Sequence, residues 1–135
     1  MKQYPIAVRA FACLGAVSLI VGCASPQIVI APTTTIKRGD AIQIELMSRD
    51  PLGAAPRLGS ALSARGFDVR DGSVNTNAPY TMRLTYVVSN DYANATCTLV
   101  NRSTGRVEAT YTISGAFRGS TALDGCADAA VAATR

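Results

Sequence analysis

The residues of this chain best suited to chemistry are its cysteines, because a thiol can act as a nucleophile, bind a metal, form a disulfide or accept an acyl group. The groups that such chemistry usually needs beside a thiol are scarce. The sequence contains no histidine, and after Lys2 its single lysine is Lys37. A zinc site, or a thiol nucleophile with a histidine base, is therefore not expected. The four cysteines are Cys13, Cys23, Cys97 and Cys126.

No other residue pattern indicates catalysis. The sequence lacks the Gly-x-Ser-x-Gly motif, a glycine loop of the kind that binds phosphate, and a cluster of carboxylates at metal-binding spacing. Asp68 and Asp71 lie close together, but they flank the end of a predicted strand and a turn, where acidic residues are common. We therefore predict that the protein is not an enzyme and that it has no catalytic residue, metal site or cofactor.

The N-terminal segment has the charge pattern of an export signal. Lys2 and Arg9 precede residues 10–22, which carry no charge, and residues 19–23 read Leu-Ile-Val-Gly-Cys. A helix over residues 10–22 would span about 20 Å, which is less than the roughly 30 Å hydrocarbon core of a bilayer. The segment is therefore too short for a permanent transmembrane helix.

Residues 19–23 resemble the lipobox of bacterial lipoprotein signals, in which small or aliphatic residues precede a cysteine. The resemblance implies that Cys23 is acylated and becomes the first residue of a mature chain that is anchored to a membrane by its acyl chains. It also implies an outer-membrane location facing the periplasm, because Ala24 stands where an aspartate would favour retention in the inner membrane. The alternative is an ordinary secretory cleavage site at which Cys23 is incidental.

Cleavage before Cys23 would leave enough chain for one small domain. We predict a signal peptide at 1–22, a lipidated tether at 23–36 and a single domain at 37–135. Two of the thirteen basic residues leave with the signal, so eleven remain against nine acidic residues, and the net charge is about +2. The basic residues are scattered, with one adjacent pair at 37–38, so the sequence does not indicate nucleic-acid binding.

If Cys13 leaves with the signal and Cys23 is acylated, two thiols remain in the mature fold. Two cysteines in an oxidising compartment favour one disulfide, here between Cys97 and Cys126. The bridge would close a loop of about 30 residues, for which the chain-entropy argument gives roughly 3 to 4 kcal/mol. The alternative is two separately buried free cysteines that pack as small apolar residues.

The first part of the mature chain contains one clear strand and one ambiguous segment. Residues 41–47 alternate between apolar and polar side chains, which predicts a half-buried strand. Residues 27–31 are mostly apolar and lie between two prolines, and they fit an edge strand or a flexible linker equally well. The Arg-Gly-Asp triplet at 38–40 stands where a turn into the strand is needed, and we interpret it as that turn.

A helix is predicted from Ala55 or Pro56 to Gly66, because proline is tolerated in a first turn and glycine often ends a helix. Asp50 is the candidate cap at its start. Residues 67–69 then begin a short strand. The spacing of Leu58 and Leu62 places both on the side of the helix that faces the sheet.

The rest of the chain predicts a meander of strands and a last helix. Cys126 falls on the narrow apolar stripe of that helix, and Cys97 falls at an inward-facing strand position. We predict an α+β fold, in which a small antiparallel sheet of about four to five strands is covered by one internal helix and one C-terminal helix. The predicted strands are 80–89, 95–100 and 107–114, with a hairpin turn at 101–105 and the C-terminal helix from about 120 to 135.

The order Leu-x-x-x-Leu-x-x-x-Gly-Phe begins at Leu58 and is followed by a loop, a strand opening with Tyr80, and the hairpin residues 103–107. Over about residues 50–131 this order resembles small periplasmic α+β modules of outer-membrane assembly lipoproteins. Those include the family of the curli secretion channel and auxiliary lipoproteins of lipid and conjugative transport systems. The resemblance implies an accessory or structural role in such a system. The chain lacks the extra length from which the curli channel builds its barrel, so a pore is not implied.

Two functions remain open at this point. The first is an accessory component of an envelope assembly, secretion or conjugation system that pairs with an envelope protein through a sheet edge or through residues 27–31. The second is a periplasmic binding module that holds a small or lipidic ligand between helix and sheet. An exposed, uncharged edge strand would favour the first, and a self-standing pocket of several hundred cubic ångströms the second. The candidate pocket residues are Tyr80, Tyr86, Tyr92 and Phe117.

Overall fold

The computed structural model describes residues 25–47, 49–50, 53–70, 77–88, 93–115 and 119–134. The predicted signal peptide and Cys23 lie outside these residues. Six strands and two helices are found among the described ranges. In chain order they are β1 (Gln27–Ile30), β2 (Ala41–Leu46), α1 (Ala54–Ala64), β3 (Asp68–Arg70), β4 (Tyr80–Val88), β5 (Ala93–Asn101), β6 (Val107–Gly115) and α2 (Gly119–Ala133).

The strands form one mixed sheet in the order β1-β6-β5-β4-β2-β3. The α+β class is confirmed, but the predicted sheet of four to five antiparallel strands is wrong in two respects. The sheet has six strands, and β2 pairs parallel with both β3 and β4. The physical reason is α1, which carries the chain back to the end of the sheet where β2 started, so that β3 runs in the same direction as β2.

Both helices lie on one face of the sheet. α1 packs on β2 and β3, α2 packs on β6, β5 and β1, and the two helices touch each other. Period-two alternation supplies the sheet side of the core, while α2 contributes mostly alanines and can therefore sit close to the strands. The largest fully buried side chains of this core include Ile42, Leu58, Leu62, Met82, Leu84, Leu99 and Ile113.

Residues 31–40 form a crossing segment that joins β1 to β2, although three other strands separate β1 from β2 in the sheet. The Thr34 hydroxyl donates to the carbonyl oxygen of Ala133 at the end of α2, at 2.6 Å. The backbone N–H of Thr35 donates to the Glu108 carboxylate at 2.7 Å, and Ile36 is fully buried in the core. The folded unit therefore begins before residue 37, which differs from the predicted boundary between tether and domain.

Candidate functional site

The candidate site is the outer edge of β1. Among the described residues, β1 pairs on one side only, with β6, and it forms one border of the sheet. Of the two interpretations of residues 27–31, the edge strand is therefore the one that the structure adopts. The linker interpretation fails because the Ser25 N–H and the Ala31 N–H also bond to β6, at 3.2 and 3.0 Å, and extend the pairing beyond both ends of the strand.

The backbone of β1 presents hydrogen-bonding groups outward in a regular way. In an antiparallel pair, residues alternate between bonding toward the neighbour and pointing away from it. Ser25 and Ala31 bond toward β6, and by the register of the pair so do Gln27 and Val29. The N–H and C=O groups of Ile28 and Ile30 therefore point away from the sheet, toward whatever lies beyond its edge.

Pro26 fits this arrangement. It has the same parity as Ile28, so its missing N–H lies on the outer side of the edge, where no bond to β6 is lost. The proline thus shortens the open edge without weakening the sheet. Such shortening is a common protection against uncontrolled edge-to-edge pairing. The sequence contained this signal, since a proline on each side of a short apolar run is typical of edge strands.

The side chains of β1 carry no charge. Ile28 is 44% exposed and Val29 is 64% exposed, on opposite faces of the strand. The other border of the sheet is different, because β3 has three residues and its Arg70 guanidinium donates to the Asp68 carboxylate at 2.7 Å. Charged side chains discourage pairing at a sheet edge. The β1 edge is therefore better suited to accept another strand.

The predicted disulfide between Cys97 and Cys126 is confirmed, with 5.7 Å between the two Cα atoms. Cys97 is 1% exposed and Cys126 is fully buried. The alternative of two separate free thiols is thereby excluded. The bridge fastens α2 to the middle of β5, so its role is structural, and it leaves no thiol in the described residues for chemistry.

Tyr80 and Tyr86 are the described residues of the predicted ligand pocket, and both make contacts inside the fold. Tyr80 is 5% exposed, its hydroxyl lies 2.7 Å from the Thr35 hydroxyl, and burial raises the pKa of its phenol. The Tyr86 hydroxyl donates to the Asp50 carboxylate at 2.6 Å. Both therefore hold internal contacts. The other two residues of the predicted pocket, Tyr92 and Phe117, lie outside the described residues.

The carboxylate of Asp50 caps the start of α1, as the sequence predicts, although Gly53 occupies the N-cap position itself. Its carboxylate accepts the backbone N–H groups of Ala54 and Ala55, at 2.6 and 3.0 Å. Burial alone would raise the pKa of this carboxyl group, but the hydrogen bonds from Tyr86 and from the N–H groups at the start of α1 outweigh it and lower the pKa. Bonds to the charged form stabilise that form, so Asp50 stays ionised and serves the helix.

Of the acidic pair Asp68 and Asp71, the structure describes Asp68 alone, and its carboxylate lies beside the Arg70 guanidinium. The hydrogen bond from Arg70 is the main cause that lowers the pKa of Asp68, which lies at the surface. Asp71 lies outside the described residues. Within the described part of the chain, no group of three or more histidine, cysteine, aspartate or glutamate side chains could hold a metal ion, and no helix is long and apolar enough to cross a membrane.

A groove of about 1130 Å³ lies between α1 and the β2–β3 border of the sheet. Its floor is formed by Ile44, Leu46 and Val69, and α1 faces it with small residues such as Gly59 and Ser63. A methyl group on Gly59 would meet Val69 and Ile44 at 3.4 and 3.5 Å, so the helix lies close to the floor there. The groove is distinct from the tyrosine pocket that the sequence suggested.

Comparisons with known proteins identify the fold and no family. No protein-family model matches the sequence, and no curated protein matches it. Among solved structures, the PelC dodecamer from Paraburkholderia phytofirmans is similar in two crystal forms, each with a TM-score of 0.62. One is 18% identical over 80% of this chain and 97% of PelC, and the other is 16% identical over 84% and 99%.

TolB from Acinetobacter baumannii is also similar, with a TM-score of 0.54 and 16% identity. That alignment covers 81% of this chain but 31% of TolB. The chain thus spans almost the whole of PelC and about a third of TolB. At these identities the similarity establishes a shared fold, while function has to be argued from the site itself.

Proposed function

We propose that this protein is a lipid-anchored lipoprotein of the bacterial outer membrane, facing the periplasm, and that it is a non-catalytic structural component of an envelope assembly, secretion or conjugation system. Acyl chains on Cys23 would hold it at the membrane. One observation carries the proposal: the first described element after Cys23 is an uncharged strand whose outer edge pairs with no other described strand. An anchor followed directly by an open edge is an arrangement suited to assembly at a membrane surface.

The partner we propose for this edge is another envelope protein, with a further copy of the same chain as the first candidate. PelC, which has a similar fold, is described as a dodecamer. Pairing of β1 with a different surface of the next copy would be a heterologous contact, and such contacts close into rings when the rotation between copies permits it. A partner strand could bond to the outward groups of Ile28 and Ile30.

The edge by itself would give modest affinity. Each backbone hydrogen bond contributes about 0.5 to 1.5 kcal/mol net, and few outward groups are present on β1. Burial of Ile28 and Val29 would add about 1.5 to 3 kcal/mol for each fully covered side chain. Attachment to one membrane also raises the effective concentration of neighbouring copies. Assembly should therefore depend on the anchor as well as on the edge.

The edge is tested by replacing Ile28 with proline, which removes an outward N–H and leaves the bonds to β6 in place. Detergent-extracted wild-type protein should run as a complex in size-exclusion chromatography with light scattering, and Ile28→Pro should lower its population at least tenfold. Ile28→Val is the matched control, because it keeps both the N–H and an apolar side chain. A monomeric wild type without a bound partner, or an unaffected proline variant, would contradict the proposal.

The anchor is tested separately by membrane fractionation. Cys23→Ser should move the protein from the membrane fraction to the soluble periplasmic fraction, because acylation requires the thiol. Cys13→Ser is the matched control, since Cys13 belongs to the predicted signal peptide and its loss should leave fractionation unchanged. Retention of Cys23→Ser in membranes at the wild-type level would show that lipidation is not what holds the protein there.

The groove beside α1 favours a second candidate function, a periplasmic module that binds a small or lipidic ligand. Its volume and its apolar floor would accommodate an acyl chain or a similar molecule. Native mass spectrometry of protein purified from membranes should then detect a bound molecule. Gly59→Phe would fill the groove and displace that molecule, while Gly59→Ala should keep it. An empty groove in the wild type would eliminate this candidate.

A further inference from the structure

The chain joins one end of the sheet two residues after Cys23, the proposed acylation site. The Ser25 N–H bonds to the Ser114 carbonyl oxygen at 3.2 Å, so the chain is attached to the sheet from residue 25 onward. Two Cα–Cα steps of 3.8 Å separate Cys23 from Ser25, and their Cα atoms are therefore at most about 8 Å apart. The predicted tether is thus much too short to let the domain move freely above a membrane.

Four strands reach this end of the sheet side by side. The register places Val87 of β4 opposite Asn94 of β5, and Asn94 opposite Ser114 of β6. Ser25 completes the row. At about 4.8 Å per strand, Val87 lies roughly 14 Å from Ser25. We call this row, together with Met47 beyond the end of β2, the anchor end of the domain.

The side chains at the anchor end suit a lipid surface. The row carries no charge, Val87 is 57% exposed and Met47 is 55% exposed. Arg49, two residues after Met47, is an exposed cation that lipid phosphates attract, and the exposed Glu45, two residues before Met47, forms an ion pair with Arg83 at 3.2 Å. Apolar side chains with cations beside them are the composition of surfaces that bind at the headgroup boundary.

The opposite end of the domain is rich in charged side chains. We call it the far end, and it consists of the β5–β6 turn, the approach to β2 and the end of α1. Seven residues along β5 separate Asn94 at the anchor end from Asn101 at the turn, a distance of about 23 Å in an extended strand. Charged residues crowd this end, so burial against lipid tails would be costly there. They are Lys37, Arg38, Asp40, Arg65, Arg102 and Arg106.

We infer that the anchor end, with Val87 and Met47, rests against the phospholipid headgroups and that the far end points into the periplasm. This orientation depends on the proposed acylation of Cys23. The short reach from Cys23 to Ser25 brings the anchor end to the lipid surface, and its uncharged row and exposed apolar side chains keep it there. The occupant of this surface is the phospholipid bilayer, not a protein.

The orientation can be measured on the full-length acylated protein. A single thiol is added at the anchor end by Val87→Cys or at the far end by Ser103→Cys, and it is labelled with a fluorophore. The protein is reconstituted into vesicles of phosphatidylethanolamine and phosphatidylglycerol that contain a lipid with a nitroxide on its headgroup. Fluorescence at position 87 should be quenched at least three-fold more strongly than at position 103.

Equal quenching at the two positions, or stronger quenching at position 103, would overturn the orientation. The anchor itself has a separate readout in the same preparation. The unsubstituted protein should take no label, because its remaining cysteines are acylated or joined in the disulfide, and it should float with the vesicles. Labelling at Cys23 together with loss of flotation would mean that the proposed acylation is wrong, whatever the quenching shows.

Discussion

The two faces of the sheet are made by the same strands, but one face is buried beneath the helices and the other is not. On the covered face, Met82, Leu84, Leu99 and Ile113 are at most 1% exposed beneath the two helices. On the other face, no described helix or strand covers the sheet, and threonine is the commonest residue at the alternate positions of β4, β5 and β6. One row across four strands runs Thr85, Thr96, Thr112 and Gln27.

The two faces should differ in how much a substitution changes the free energy of unfolding. Threonine is a good strand former, and its hydroxyl remains compatible with water, so an uncovered face can keep a stable sheet without a second core. The covered face has to satisfy close packing, a disulfide and a helix cap together. We therefore expect substitutions to have large effects on the covered face and small effects on the open face.

Removal of the disulfide should have the largest effect. The double variant Cys97→Ala/Cys126→Ala loses a bridge that spans 29 residues of sequence, and the chain-entropy argument gives about 3 to 4 kcal/mol for such a loop. Urea unfolding should show a loss of this size. Wild-type protein treated with reductant under the same conditions should lose a similar amount. A loss below about 1 kcal/mol in both would mean that packing alone holds α2 on the sheet.

Gly125→Ala should have the next largest effect. A methyl group at this helix position would overlap the ring of Tyr111 on β6, which packs directly over the glycine. Overpacking of this kind costs about 1 to 3 kcal/mol, against a gain of up to about 1 kcal/mol in helix propensity. Thermal unfolding should show a net loss of stability.

Gly59→Ala is the matched control for Gly125→Ala. A methyl group at Gly59 would meet its neighbours at ordinary contact distances, 3.4 and 3.5 Å. The alanine there should leave stability unchanged or raise it by about 0.5 to 1 kcal/mol. Equal effects of the two substitutions would show that the Tyr111 contact is not what requires glycine in α2.

Local pattern was sufficient to predict much of the covered face. Alternation predicted β2, β4, β5 and β6 within a few residues, and the Asp50-to-Ala55 region predicted a capped helix. The hairpin turn at 101–105 is also confirmed, with Gly105 at a φ of 77° and its N–H bonded to the Asn101 carbonyl. These features depend on neighbours close in sequence, so the sequence carries them directly.

Features that depend on distant residues were not predictable in the same way. Glu108 is the second residue of the predicted strand 107–114, yet it is 1% exposed, because a register shift at Leu99/Val100 disturbs the alternation there. Its carboxylate then receives the Thr35 N–H from a segment 73 residues away. The parallel position of β2 and the partner of β1 likewise follow from how the chain crosses over, which alternation does not encode.

The cap at Asp50 should have an intermediate, pH-dependent effect. The pKa of Asp50 in the folded protein is lowered from its ordinary value of 3.8, so its contribution to stability is complete above about pH 4 and is lost as the pH falls through the lower folded value. Asp50→Ala should cost about 0.5 to 2 kcal/mol at pH 7. Unfolding measured from pH 6 to pH 2.5 should show this difference shrinking toward acid.

Tyr86→Phe separates the contribution of the tyrosine hydroxyl from that of the backbone N–H groups that also bond to Asp50. It removes one hydrogen bond to the Asp50 carboxylate and leaves the backbone bonds to Ala54 and Ala55. The pKa of Asp50 in the folded variant should therefore lie closer to its ordinary value, so the acid-side loss of stability should be smaller and should end at a higher pH than in the wild type. If the stability of Asp50→Ala and of the wild type responds to pH in parallel, the carboxylate does not stabilise the folded state through its charge.

The smallest effect is expected on the open face, at Thr112→Val. The substitution keeps shape and strand propensity, and Thr112 lies on the uncovered side of β6, so the change in unfolding free energy should stay within about 0.5 kcal/mol. Its neighbour Ile113 points into the core and is 1% exposed, and Ile113→Val should cost about 0.5 to 1.5 kcal/mol. The two residues are adjacent on one strand, so the two substitutions differ mainly in the face of the sheet on which the side chain lies. A loss above about 1 kcal/mol at Thr112 would mean that the open face is itself packed against something, and the contrast between the faces would fail.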